Sequence, residues 1–174
     1  DERIPGERCA TLALNDNATV EMMLASQRRN QANVQLSFRA TGGELVSMLE
    51  TAEARGIVFD DAKAEIPLDV LDRMDLDVAL YTGDDAGVLE REGVESFDAA
   101  VTDAMPAERP DPWETGDERL EASIFYTSGT TSTPKAVLLS QDEIWYGSTQ
   151  ALMEMSLTPQ DTAVVVTPWY HMVT

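Results

Sequence analysis

Short apolar runs alternate with stretches in which apolar residues recur every three or four positions, and this alternation organises most of the chain. Residues 10–14 read as a buried strand and residues 18–29 as the helix that follows it. Residues 34–38 alternate apolar and polar, like a strand with one covered face. Thr41 and Glu44 make a capping-box pair just ahead of Leu45, Met48, Leu49 and Ala52. Those four repeat at i, i+3, i+4 and i+7, the stripe of an amphipathic helix, and Gly56 is its predicted end. Residues 57–59 and 78–81 are further strand candidates with an irregular acidic stretch between them, and residues 96–104 read as a short helix. Pro106, Pro110, Pro112 and Gly116 mark residues 105–118 as an exposed connection.

Beyond that connection lie two apolar runs, 122–126 and 136–139, the second of which reads as a strand. Ser140 and Glu143 form a second capping box, starting a helix with Ile144, Ser148, Ala151, Leu152 and Met155 on one face. Thr158-Pro159 ends it, and residues 163–166 read as a buried strand. Strands alternating with helices at this spacing predict an α/β fold with much parallel pairing.

The chemistry gathers between the two later apolar runs. The segment Tyr126-Thr127-Ser128-Gly129-Thr130-Thr131-Ser132-Thr133-Pro134-Lys135 holds six Ser or Thr hydroxyls, one glycine and one lysine. Lys135 is the only Lys or Arg among the last 53 residues. Main-chain N–H groups and hydroxyls donate to phosphate oxygens, and an ammonium adds a compact charge for the outer phosphates. Gly129 allows close backbone approach, and Pro134 stiffens the exit. This composition suits a nucleoside triphosphate; a solvated Ser/Thr hairpin loop with an incidental lysine is the plain alternative. The segment is not a Walker A loop, which needs a glycine before the lysine and Ser or Thr after it, where this chain has Pro134 and Ala136. The strand expected at 136–139 leaves no helix N-terminus there to hold phosphate.

The order of these residues resembles the phosphate-binding signature of the adenylate-forming ligase superfamily, Tyr-Thr-Ser-Gly-Thr-Thr-Gly-x-Pro-Lys-Gly. That group includes acyl-CoA synthetases, beetle luciferases and the adenylation domains of peptide synthetases. The chain departs from the pattern at Ser132 and Ala136, where the family has glycine. Thr167-Pro168-Trp169-Tyr170-His171 resembles the family's later Pro-x-Phe-His segment. Residues 6–17 resemble its early strand and Pro-Asn turn, and residues 39–50 its next helix.

The resemblance implies mixed sheets flanked by helices, within an incomplete large amino-terminal AMP-binding domain. Its expected parts are a first α/β part over 1–104, an exposed connection over 105–119 and a phosphate-loop part over 120–174. The family's adenine- and ribose-binding motifs and its carboxy-terminal domain with a catalytic lysine are not found, so these residues by themselves are expected to be inactive. The resemblance also implies ATP, Mg²⁺ and coenzyme A as cofactors, and a small carboxylic acid as substrate. Thr127, Ser128, Gly129, Thr130, Thr131, Ser132 and Lys135 would bind the nucleotide. Lys135 would also serve catalysis, with His171 shaping the pocket or orienting the carboxylate. No metal ligands are assigned. The alternatives are an adenylation domain that loads a carrier protein, and a non-catalytic descendant that binds nucleotide.

Charge narrows the partners. The formal net charge is −20, from 32 acidic and 12 basic residues, ten of the latter arginine. Residues 1–121 hold 28 of the acids, spread without a block of five, so they form a charged surface rather than a tail. Such charge opposes compaction unless salt screens it, the strategy of a halophile. Nucleic acid is not an expected partner, because phosphate neutralisation needs a basic surface. Cys9 is the single cysteine, so no intrachain disulfide forms, and a cytoplasmic location is expected. No apolar run reaches the roughly 20 residues of a membrane span. His171 is the only histidine, which excludes a multi-histidine metal site in these residues. Asp60-Asp61 and Asp84-Asp85 read as solvated surface, and Trp169 and Tyr170 as pocket wall or core.

Overall fold

A computed structural model describes residues 8–29, 31–103, 121–127 and 134–171. The apolar runs become β1 (Arg8–Leu12), β2 (Asn33–Gln35), β3 (Ala54–Phe59), β4 (Val78–Tyr81), β5 (Glu95–Ser96), β6 (Glu121–Thr127) and β7 (Lys135–Ser140). They pair in one mixed sheet ordered β5-β4-β3-β1-β2-β6-β7. Every pairing is parallel except that of β6 with β7. Between the strands lie α1 (Asn17–Arg28), α2 (Gly42–Thr51), α3 (Glu65–Leu71), α4 (Ala86–Leu89) and α5 (Phe97–Asp103), and α6 (Gln141–Met155) follows β7.

Period-two alternation sends successive strand residues to opposite faces. On one face Ala10, Val34, Ile57, Phe59, Tyr81 and Ile124 meet Leu45, Met48 and Leu49 of α2 and Val70 of α3. On the other, Val58 packs with Ala18 of α1 and Phe97 of α5, and Cys9, Met22 and Leu80 lie against them. Since β1 leads through α1 to β2 on one side and β3 leads through α3 to β4 on the other, the connections diverge at the carboxyl ends of β1 and β3. That divergence opens a crevice, the usual ligand position in open α/β sheets.

Both capping boxes form as expected, Thr41 with Glu44 and Ser140 with Glu143. Several expectations need correction. Gly56 does not end α2: the helix stops at Thr51, and Glu53 takes the left-handed turn at φ 52°. Gly56 lies inside β3, where a Cβ would stand 3.2 Å from Cys9 Sγ. The acidic stretch after β3 is more regular than expected, with a 3₁₀ turn at Asp61–Lys63 and then α3. Pro67 obscures α3 in the sequence, yet it sits in the first turn, where its missing N–H costs nothing. Residues 163–166 form no strand and are exposed, Val164 and Val166 at 84% each, because no described element pairs with them or covers them. The connection expected over 105–119 lies outside the described residues. Among the described residues no helix is long and apolar enough to cross a membrane.

Candidate functional site

β6 and β7 are the two arms of a hairpin, and their register sets Thr127 directly opposite Lys135. The two ends of the hydroxyl-rich segment therefore face each other at the carboxyl end of β6. Ser128, Gly129, Thr130, Thr131 and Ser132, the middle of the expected nucleotide-binding set, lie outside the described residues. Lys135 is exposed and opens β7, which agrees with the absence of a helix N-terminus at that end of the segment.

Beside the hairpin mouth is a cleft of about 280 Å³ whose lining includes Gln35, Arg39, Tyr126, Thr127, Tyr170 and His171. Gln35 arrives there because β2 pairs with β6 in a register that matches it to Phe125. Its carboxamide donates to Asn33 Oδ1, and Asn33 Nδ2 donates in turn to Thr11 Oγ1 at 3.0 Å and to the Cys9 carbonyl at 3.1 Å. This buried polar chain fixes Gln35 from beneath. Tyr126 donates its hydroxyl to the Met48 carbonyl, which ties β6 to the end of α2. Burial pushes the Tyr126 hydroxyl up to about 12, with the Arg8 charge opposing the shift, so it stays protonated and a donor at neutral pH. Arg8 pairs in bidentate fashion with Glu121, at 3.0 and 2.9 Å, and holds the amino end of β6.

Tyr170 is buried against Phe38, ring centroids 5.4 Å apart at 80°, and stacks on the His171 ring at 4.5 Å. His171 lines the same cleft as Thr127. Arg39 supplies a cation to this cleft that the motifs did not single out, its guanidinium 5.7 Å from the Phe38 ring centroid. Nothing local in the sequence marks Gln35, which the β2–β6 pairing brings in, while Arg39 opens the segment 39–50 that resembles the family's helix.

The crevice between the β1 and β3 ends is larger, about 580 Å³, and chemically different. Asp16, Asp60 and Asp61 line it, and no Lys or Arg does. A field of one negative sign repels phosphate, so the usual position in this topology is the wrong one for a nucleotide tail. The three carboxylates also have structural partners. Asp16 caps α1, Asp60 accepts the Leu14 N–H at 2.6 Å, and Asp61 accepts the Tyr81 hydroxyl. Asp85 likewise caps α4. Asp60, Asp61 and Asp85 therefore hold turns in place, and Asp61, Asp84 and Asp85 are exposed, as read from the sequence. No group of three or more His, Cys, Asp or Glu among the described residues is arranged to hold a metal ion.

The chain resembles known proteins over nearly its whole length. It is 27% identical over 165 residues to 2-succinylbenzoate–CoA ligase of Listeria monocytogenes, covering 95% of this chain and 30% of that one. It is 24% identical to medium-chain-fatty-acid–CoA ligase of Ectopseudomonas oleovorans, covering 96% and 31%. The chain thus spans about 30% of the length of the curated relatives it matches. Among solved structures, apo MbtA from Mycobacterium smegmatis superimposes with a TM-score of 0.79 at 22% identity, over 97% of this chain and 30% of that one. A long-chain-fatty-acid–CoA ligase from Archaeoglobus fulgidus gives 0.77 at 24%, over 95% and 31%. At those identities the superpositions establish the fold alone. The family model described as "AMP-binding enzyme" matches residues 4–174, and the chain belongs to that family.

Proposed function

We propose that the protein, at the length of its relatives, is an ATP-dependent acid–thiol ligase. In the first half-reaction a carboxylate oxygen attacks the α-phosphorus of ATP, and the bond to the β-phosphate oxygen breaks to release pyrophosphate. In the second, the thiol of coenzyme A gives its proton to solvent as its sulfur attacks the acyl carbon, and AMP leaves with the electrons of the broken acyl–oxygen bond. The single observation that carries this reading is the opposition of Thr127 and Lys135 across the hairpin mouth. It sets a hydroxyl and an ammonium on either side of the place from which the remaining hydroxyls and Gly129 extend. Negative charge grows on the departing pyrophosphate, and donors preorganised for it would stabilise the transition state more than the ground state. Lys135 supplies charge and alignment, not a covalent bond.

His171 and Tyr170 line the same cleft as Thr127, which supports a pocket-shaping role for His171 beside the reacting carboxylate. Mg²⁺ fits as a companion of the nucleotide rather than of a protein cage. Magnesium is commonly held through substrate phosphates with few carboxylates, in keeping with the lack of a carboxylate cluster among the described residues. The named relatives act with coenzyme A, which favours it over a carrier protein as acceptor.

Acid-dependent exchange of pyrophosphate into ATP tests the reading in the polypeptide of ligase length. Lys135→Ala should slow it by about 10²-fold, the scale of losing one preorganised charge donor. Lys135→Arg should recover part of the rate. Exchange equal to wild type in the alanine variant would reject the role.

A further inference from the structure

Asn15 stands in the turn after β1, in the wall of the acidic crevice, and its neighbours hold its backbone from both sides. The Leu14 N–H donates to Asp60 Oδ2 at 2.6 Å, Thr19 Oγ1 donates to the Leu14 carbonyl at 3.2 Å, and Asp16 caps α1. The Asn15 carboxamide faces away from that frame, towards residues more than 150 positions later. Nδ2 donates to the Thr167 carbonyl at 2.9 Å, and Oδ1 accepts the Trp169 N–H at 3.0 Å. A carbonyl only accepts and an N–H only donates, so the two partners leave one orientation for the amide.

The carboxamide acts here like one peptide unit of an adjacent strand. It offers one donor and one acceptor in a single plane, and it grips alternate residues of a segment that has no strand partner of its own. Immediately after the grip the chain turns, with the His171 N–H donating to the Pro168 carbonyl at 3.1 Å. That turn directs Tyr170 inward onto Phe38 and brings His171 to the cleft beside Thr127. The path is continuous: rigid β1 turn, carboxamide, residues 167–169, the turn, then the two aromatic rings.

We propose that Asn15 is a positioning residue that sets residues 167–171, and with them His171, against the mouth of the β6–β7 hairpin. It touches no reacting atom. Its consequence for catalysis rests on the ligase reading above, whereas the clamp itself rests only on the two hydrogen bonds. A carboxamide makes both bonds at once, whereas a carboxylate keeps only the acceptor for the Trp169 N–H and an alanine keeps neither. The residue also links the two crevices: the acidic one supplies the anchor, and the neighbouring one receives the ring.

Two measurements test this separately. In the 174-residue chain, hydrogen exchange at the Trp169 amide should accelerate at least ~10-fold in Asn15→Ala, because the protecting acceptor is gone. The isosteric Asn15→Asp keeps that acceptor, so Trp169 should stay within ~3-fold of wild type, which also covers the case of an alanine variant that does not fold. An unchanged Trp169 rate in folded Asn15→Ala, or full loss of protection in folded Asn15→Asp, overturns the clamp. In the polypeptide of ligase length, Asn15→Ala should lower kcat/KM for the acid by ~10–100-fold, the usual result of a displaced site wall. KM for ATP should move less than ~3-fold in the same variant, since Thr127 and Lys135 are held by the β6–β7 pairing and not by residues 167–169. Acid kcat/KM within ~2-fold of wild type despite a lost clamp overturns the positioning role. A wild-type protein that forms no adenylate would sink the ligase reading instead, and the exchange result would still decide the clamp.

Discussion

β6 divides the molecule into two regions of similar apolar content and opposite fate. On the β1–β5 side, Leu45, Leu49, Ile57, Phe59 and Tyr81 are fully buried on one face of the sheet and Val58 on the other. On the β7 side, α6 has no buried residue, with Trp145 at 67% and Met153 at 74% exposure, and Val164 and Val166 beyond it reach 84%. Local signals are equally good in both, for each region has a capped helix and strand-like runs. What differs is whether other described residues supply a second layer. Cap and period determine that an element forms, while burial requires an opposing surface, and most helix stability in proteins comes from such packing.

The largest effect that distinguishes the two regions is a cavity. Leu49→Ala removes a fully buried side chain at the α2–sheet contact and should cost about 3 kcal/mol in urea unfolding. Leu152→Ala on α6, where the side chain is 51% exposed, should cost less than about 0.5 kcal/mol. Equal losses would show that the α6 face is covered in solution, and the contrast between the regions would vanish.

That contrast also explains what was legible beforehand. Leu45, Met48, Leu49 and Ala52 were read as one apolar stripe, and all four are buried, because a local period reports a face directly. Residues 163–166 have the composition of a buried strand, but composition names no partner, and none lies among the described residues. α3 was missed because a proline in the first turn looks like a breaker until the cap position is known. At the site, the hydroxyl-rich motif and His171 were readable as local strings, and the structure brings Thr127, Lys135 and His171 to one end of the sheet. Gln35, Arg39 and Asn15 were not readable as parts of that end. Their roles arise from strand register and from hydrogen bonds spanning over 150 residues, which leave no periodic trace.

A second, smaller difference appears on raising the pH. Cys9 lies in the packed region beside Val58, and burial pushes its thiol from 9.0 up to about 12. The sign follows from the raised folded value: the stabilisation is complete below pH 9 and is lost as the pH rises towards 12. By pH 10 the Cys9 thiol alone should remove about 1.4 kcal/mol of wild-type stability relative to pH 8, read from paired urea titrations. Cys9→Ala should keep only a smaller loss of about 0.4 kcal/mol, the share of Tyr126, which is pushed from 10.0 up to about 12 and is half ionised at pH 10 in the unfolded chain. A wild-type curve flat between pH 8 and 10 would mean the thiol ionises freely, and the packing under α1 would be looser than the structure indicates.

The two capping boxes are the finest probe, because the same chemistry occurs once in each region. The Thr41 N–H reaches Glu44 Oε2 at 2.8 Å, and the Ser140 N–H reaches Glu143 Oε2 at 2.7 Å. In each, the backbone N–H and then the hydroxyl hold the carboxylate below its usual range. Thr41→Ala should cost about 1 kcal/mol of global stability at pH 7, because α2 is part of the core and cannot fray without uncovering it. Ser140→Ala should loosen the first turn of α6, seen as faster local hydrogen exchange, while the global midpoint moves by less than about 0.3 kcal/mol. A depressed folded value means stabilisation that is present above pH 4.5 and lost as the pH falls through it. The gap between Thr41→Ala and wild type should therefore narrow in acid without closing, because the residue-41 N–H still reaches Glu44 in the variant and the bond from the Glu44 N–H to the Thr41 hydroxyl does not depend on pH. The Ser140→Ala and wild-type midpoints should nearly coincide already at pH 7. A Ser140→Ala midpoint that drops as far as that of Thr41→Ala would make α6 part of the same cooperative unit as α2, despite its exposed face.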